Sequence, residues 1–308
     1  MANIAYLQLT RKCNQKCRFC SNPPNDEILD QMNARKIIDE YKNNNYKGIV
    51  FTGGEPTLFN GLDELIKYSI QLGIEPRIIT NGQLISDMKY LERLVYCGLK
   101  HIHVSFHSYK PAVQNYLSCN NDSFQNILVA LKNCQHYPIS VNINTVINKY
   151  NSDHLDKNVK WLVKEFPFIN HFVWNNLDHQ MNRVESNPDV IPEFHDFEIS
   201  LYNAALFLKN QKRSFRIERV PLCYMADFAE NSTETRKIVK NESRAVYFLD
   251  GRMSTYQDSF FYEKLSACSN CTLTSICPGV YGGKENSSAH QIFPLFIDKN
   301  FIIKKITG

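Results

Sequence analysis

The sequence predicts an α/β protein built on a parallel sheet. From residue 4 to about 174, short apolar runs alternate with amphipathic stretches, the pattern of parallel strands joined by helical crossovers. Two neighbouring strand candidates, 101–106 and 139–147, carry polar residues on one face. Strands buried on both sides normally read as continuously apolar, so a polar face fits an open, incomplete barrel whose lumen holds a polar ligand. On alternation alone a doubly wound sheet is the competing arrangement. The 308 residues suffice to bury a core without disulfides.

The strand candidates in order are 4–10, 48–52, 75–79, 101–106, 139–147 and 169–174. Helix candidates between them are 33–45, 61–72, 86–97, 123–134 and 153–166. The last illustrates the basis: Leu155, Val159, Leu162 and Val163 fall at helical spacing and Pro167 stops the run. Asn151-Ser152-Asp153 offers capping residues, and Asn148 and Asn151 are read as caps for that helix. In the fourth strand His101, His103, Ser105 and His107 share one face.

Beyond Trp174 the pattern changes. Residues 175–195 read as a connecting segment, 198–209 as a helix, and 245–249 with 253–256 as a hairpin turning at Asp250-Gly251. A boundary near 213 divides the chain into 1–212 and 213–308. No internal repeat is present.

Net charge is +4, from 35 Lys and Arg against 31 Asp and Glu, too mild for a strongly basic nucleic-acid binder. The N-terminus lacks a basic segment followed by an apolar one, and no run is long enough to span a membrane. A reducing, cytoplasmic location is therefore expected, where clustered cysteines bind metal or do redox chemistry more often than they pair. The chain has ten cysteines. Three are tight near the N-terminus, three near the C-terminus, and Cys97, Cys119, Cys134 and Cys223 are scattered.

Cys13, Cys17 and Cys20 form a C-x3-C-x2-C run directly after the first strand, at the end of a strand where barrels place their chemistry. A structural zinc wants four ligands, and no fourth lies nearby. An iron–sulfur cube held by three thiolates keeps one iron open, where a substrate can be the missing ligand. The run, with Phe19 as its aromatic, resembles the signature of the radical S-adenosylmethionine (radical SAM) superfamily. The resemblance implies a [4Fe–4S] cluster whose fourth iron chelates SAM, cleavage of SAM to a 5′-deoxyadenosyl radical, and hydrogen abstraction from a substrate. It also implies an incomplete (β/α)6 TIM-type barrel, followed here by a small α+β cluster-binding module.

Gly53-Gly54-Glu55-Pro56 after the second strand resembles the family's GGEP motif, which contacts the methionyl amino group of SAM. Thr80-Asn81-Gly82 after the third resembles its TNG segment. Ser105 and Asn144 match places where relatives contact the SAM carboxylate or ribose. The resemblance thus assigns Phe19, Gly53, Gly54, Glu55, Thr80, Ser105 and Asn144 to SAM. His103 and His107 share Ser105's face and are candidate substrate contacts.

Cys268, Cys271 and Cys277 form C-x2-C-x5-C behind the expected hairpin. This resembles the SPASM and twitch extensions of radical SAM enzymes, which carry auxiliary iron–sulfur clusters. The next cysteine of a full SPASM pattern is replaced by Tyr281, which implies one auxiliary [4Fe–4S] cluster and a twitch-like module. Cys223 stands where relatives have the first auxiliary ligand. Two further readings stay open: Cys223 as a hydrogen donor to a substrate radical, and a zinc site.

The expected function is a radical SAM oxidoreductase or maturase. Its substrate is expected between the barrel mouth and the C-terminal module: a ribosomally made peptide, or alternatively a cofactor, nucleoside or sugar precursor. A flavodoxin or ferredoxin is the expected reductant. No recognition domain precedes Cys13, so a separate peptide-recognition protein is expected. From another class, the chain could be a non-catalytic iron–sulfur electron carrier or redox sensor.

Overall fold

The computed structural model describes residues 4–22, 25–179, 183–250, 254–256 and 261–308. Seven parallel strands lie side by side in chain order: β1 (Ile4–Thr10), β2 (Gly48–Gly53), β3 (Glu75–Thr80), β4 (His101–Ser105), β5 (Ser140–Ile147), β6 (His171–Asn176) and β7 (Ser214–Glu218). At the other edge β8 (Ala245–Tyr247) runs parallel to β1, and β9 (Ser254–Tyr256) pairs antiparallel to β8. The sheet order runs from β7 to β9 with two ends, the open seam of a partial barrel.

The crossovers are α1 (Gln31–Asn43), α2 (Leu62–Gln71), α3 (Met88–Tyr96), the pair α4 (Pro111–Ser118) and α5 (Ser123–Cys134), α6 (Leu155–Glu165) and α7 (Phe194–Asn210). All but the short α4 bury apolar residues on one face, such as Ala34, Ile37, Ile38 and Tyr41 of α1. These stripes meet the outward face of the strands, where Ala5, Leu7, Leu9, Ile102 and Val104 are fully buried. Burial of that face is what rolls the sheet, and it leaves the polar residues to face inward.

Beyond β7 lie α8 (Thr233–Lys240), a two-stranded ribbon of β10 (Tyr262–Glu263) and β11 (Val280–Tyr281), and α9 (Lys299–Thr307). The hairpin expected at 245–256 is found as β8 and β9, while Gly251 and Met253 lie outside the described residues. The parallel run holds one strand more than expected. β7 is short, and its Phe215 and Ile217 alternate with polar neighbours. β7 and β8 carry the main sheet past residue 213.

Asn148 and Asn151 do not cap α6. Asn148 Nδ2 donates to Val146 O at 3.0 Å, and Asn151 Nδ2 donates to His107 O and Val146 O, both at 2.9 Å. A short 3-10 turn, Ser152–His154, intervenes before α6, and no side chain caps that helix. The two carboxamides instead serve the backbone carbonyls at the strand exits.

Candidate functional site

The three N-terminal cysteines sit on the β1–α1 connection. Two backbone contacts hold that loop to the end of α4, Lys16 N–H to Ser118 O and Arg18 N–H to Leu117 O. Arg18 stacks 4.1 Å over the Tyr116 ring and bonds Asn187 Oδ1 at 2.8 Å. Phe19 is buried with Leu117, Leu177, Val184 and Val190, and Cys17 packs on the same group. The two half-buried outer thiols take backbone donors: Gln15 N–H to Cys13 Sγ and Asn22 N–H to Cys20 Sγ, both at 3.4 Å. Burial pushes the free Cys13 thiol up to about 11 and Cys17 well above its ordinary value, while the Arg183 guanidinium pulls both down. Metal ligation requires such thiols to give up their protons.

Gly53 and Gly54 bring β2 against the root of this loop. A Cβ on Gly53 would stand 2.2 Å from Thr10 O, and one on Gly54 would stand 2.2 Å from Lys12 O and 2.4 Å from Arg11 O. Gly53 also has φ +135°, a value that L side chains avoid. Here the glycines admit the protein's own backbone: Gly54 N–H bonds Thr10 O and Glu55 N–H bonds Lys12 O.

Glu55 is buried and links three strand exits. Its Oε1 accepts from Thr57 N–H (3.1 Å), the Thr57 hydroxyl (2.6 Å) and the Thr80 hydroxyl (2.7 Å). Its Oε2 accepts from Asn81 N–H at 2.7 Å. Burial raises this carboxyl above its ordinary value, and the donors from Asn81, Thr57 and Thr80 oppose that rise. Asn81 Nδ2 in turn reaches Asn14 Oδ1 at 2.7 Å and Cys13 Sγ at 3.7 Å. Sequence reasoning placed Asn81 only within a segment, because its link to Cys13 spans two loops.

Ser105 and Asn144 are register partners on β4 and β5. Asn144 Oδ1 is buried without a hydrogen-bond partner, an arrangement that native structures rarely leave unexplained. Three thiols on one loop and an unpaired buried amide oxygen are a donor set that fits an iron–sulfur cluster and a polar ligand.

The two histidines go elsewhere. His107 is buried with its ring 4.6 Å from Phe19, and its Nδ1 accepts from Val146 N–H at 3.2 Å. His103 stacks on His101 at 4.9 Å, and Asn142 Nδ2 lies 2.7 Å from His101 Nε2. Burial lowers His103 and His107 to about 3 and His101 to about 4. Neither His103 nor His107 lines the cavity at the open side of the barrel. One backs the cysteine loop and the other fills the barrel lumen.

That cavity, about 860 Å³, lies at the open side of the sheet, between the end of β7 and the edge formed by β1 and β8. Its walls include Gln8, Arg11, Thr52 and Gly53 from the barrel, and Tyr262, Pro278 and Tyr281 from the C-terminal segment. Arg219, at the β7 exit, stacks 4.6 Å over Tyr281 and stands 3.7 Å from Asp178. Arg244 stacks 4.6 Å over Tyr6 and stands 3.6 Å from Glu218. Glu234 accepts from the Tyr262 hydroxyl at 2.8 Å. None of these residues was predicted, since β7 and α8 were not recognised. Tyr281, noticed only as a missing cysteine, is a cavity wall.

A second, small cavity is lined by all four remaining candidate ligands, Cys223, Cys268, Cys271 and Cys277. Cys223 does not line the large cavity. Lys264 Nζ donates to Thr274 O at 2.6 Å and to Cys277 O, tying the C-x5-C loop together. Among the described residues no three His, Cys, Asp or Glu side chains close around a single ion; the four thiols frame a space.

Comparison with known proteins agrees with this geometry. Residues 7–162 match the radical SAM superfamily. The Fe-coproporphyrin III synthase of Methanosarcina barkeri is 32% identical over 152 residues, 48% of this chain. The match spans 38% of that relative's length. The structure of Streptococcus suis SuiB bound to S-adenosylmethionine superposes with TM-score 0.67 at 18% identity, over 96% of this chain and 76% of that one. Native anSMEcpe with bound AdoMet and Kp18Cys peptide superposes with TM-score 0.65 at 16% identity, over 98% and 95%. No helix among the described residues is long and apolar enough to cross a membrane. With half of its length matched and the three cysteines lying inside the matched segment, this chain belongs to the radical SAM superfamily.

Proposed function

We propose that this chain is a radical SAM enzyme that takes a hydrogen atom from a peptide lodged in the seam cavity. Membership implies a [4Fe–4S] cluster and SAM, here on Cys13, Cys17 and Cys20. Bound together, they supply the electron and the hydrogen-abstracting radical. The chain's part is orientation and exclusion of water. Gly53, Gly54, Glu55, Thr80, Ser105 and Asn144 surround the SAM position, and Phe19 seals the cysteine loop behind it.

The observation that carries the reading is the seam cavity. It runs from the β1 and β2 exits, beside the three-cysteine loop, to the C-terminal segment. Its volume falls within the ordinary range of ligand sites. Its arginines stand beside carboxylates and tyrosine rings, leaving polar groups that suit the alternating donors and acceptors of a peptide. Two structural neighbours are known with bound peptides, the precursor peptide SuiA for SuiB and Kp18Cys for anSMEcpe. A small-molecule substrate is the second reading, favoured by the resemblance to Fe-coproporphyrin III synthase.

Cys223, Cys268, Cys271 and Cys277 would hold one auxiliary [4Fe–4S] cluster, and the shared cavity supports Cys223 as ligand rather than hydrogen donor. Thiols that frame a space suit a polynuclear cluster better than one zinc, whose bonds of about 2.3 Å draw four sulfurs together. A flavodoxin or ferredoxin would deliver electrons in the cytoplasm, and a separate protein could present the peptide.

The test is anaerobic incubation of iron-loaded protein with SAM and dithionite. The expected product is 5′-deoxyadenosine, formed faster with a substrate peptide than with an iron porphyrin. No 5′-deoxyadenosine from fully loaded protein would leave an electron carrier or redox sensor as the function.

A further inference from the structure

The three N-terminal thiols are unequally surrounded. Among the described residues, Cys20 Sγ receives one backbone N–H, and Cys13 Sγ receives a backbone N–H and the Asn81 carboxamide. The polarity of that carboxamide is determined by its neighbours. Asn81 Oδ1 accepts from Gln83 N–H at 3.1 Å, so the NH2 must face Asn14 Oδ1 and Cys13. Glu55 anchors the same residue through its backbone N–H.

Cys17 faces another carboxamide. Gln15 Oε1 lies 3.6 Å from Cys17 Sγ, with the thiol as donor, and Gln15 Nε2 donates to Ser123 Oγ at 3.0 Å. Ser123 Oγ also accepts from Gln114 Nε2 at 3.2 Å. Gln15, Gln114 and Ser123 are all buried. A ligating Cys17 has no proton to give, so this polarity would set an oxygen lone pair against a thiolate. Turning the Gln15 carboxamide end for end removes the conflict at no cost. Nε2 then donates to Cys17, the Ser123 hydroxyl donates to Gln15 Oε1, and Gln114 still donates to Ser123.

We propose that the Asn81 and Gln15 carboxamides form an N–H cradle that tunes the reduction potential of the cluster carried by Cys13, Cys17 and Cys20. The inference rests on the family's three-thiolate cluster. Reduction adds negative charge that delocalises onto the sulfurs, and N–H dipoles aimed at sulfur stabilise it. Both are positioning residues. Removing either donor should make the cluster harder to reduce.

The experiment is a redox titration of the reconstituted full chain, following the part of the reduced-cluster EPR signal that SAM addition alters. That selection separates this cluster from the auxiliary one. Asn81→Ala and Gln15→Leu should each move the midpoint potential to more negative values, and the double variant further. Asn81→Asp, which keeps the shape but replaces the donor by an acceptor, should shift it more than Asn81→Ala. If Asn81→Ala fails to fold, Asn81→Asp and Gln15→Leu carry the measurement. Loaded variants titrating at the wild-type potential would overturn the proposal. So would folded variants that all fail to load iron, because the carboxamides would then serve assembly alone. A wild-type protein with no SAM-sensitive signal removes the proposed function and this inference together, a result distinct from unshifted variants.

Discussion

Replacing Glu55 by Gln probes the junction of the strand exits. All four contacts to its carboxylate come from donors, two backbone N–H groups and two hydroxyls. A carboxamide must put its NH2 at one of the two oxygen positions. At Oε2 it opposes Asn81 N–H, and at Oε1 it opposes Thr57 N–H. The hydroxyls can rotate to accept, but a backbone N–H cannot. One charge-assisted bond is therefore lost, costing about 1.5–3 kcal/mol, and a buried donor is left unpaired at a further ~1–3 kcal/mol. A net destabilisation of about 2.5–6 kcal/mol follows from these two terms. Urea unfolding of the metal-free protein, comparing midpoints at unchanged slope, measures it. A loss under about 1 kcal/mol, below the cost of even one such buried contact, would refute this account of Glu55.

Gly54→Ala pushes a Cβ into Arg11 and Lys12 carbonyls; it should cost up to ~3 kcal/mol, the upper end for overpacking, and lower the iron bound at the N-terminal site on reconstitution. Phe19→Ala should cost about 3–5 kcal/mol in thermal or urea melts, as for buried aromatics generally, by emptying the group around Leu117, Val184 and His107. Cys223→Ala should cut iron and sulfide by about one cluster's worth; an undiminished count with stalled turnover would instead assign hydrogen donation to that thiol. His101, His103 and His107 titrate well below an ordinary histidine in the fold. The unfolded chain therefore binds protons that the fold refuses as pH falls from about 6.5 towards 4, and stability should drop in that window by up to ~1.4 kcal/mol per pH unit per histidine. His103→Asn should flatten the profile by about one proton, and an unchanged slope would contradict its buried neutral state.

Long periodic elements were legible from the sequence. The helix at 123–134 is found as α5, Ser123–Cys134, because its apolar stripe repeats over three turns. β7 and α8 were missed. The first is five residues long. The second has only Thr233 and Thr235 buried, so it lacks an apolar stripe. The cysteine groups and the glycine pair were visible because close-spaced residues must share a site wherever the chain goes. The surroundings of the histidines were not legible, since strand parity reports which face a residue occupies and says nothing of depth along the lumen.

The sequence by itself determined the barrel's alternation, the three-thiol loop and the family it belongs to, since each is written in short-range spacing. Only the tertiary structure decided the rest. It brought Cys223 to the cavity of Cys268, Cys271 and Cys277, turned the Asn81 carboxamide onto Cys13, and opened the seam where Arg219 and Arg244 face a ligand-sized space. These contacts join residues tens to hundreds of positions apart. They exist because burial of the outer strand faces rolls the sheet, a global act that no local pattern encodes.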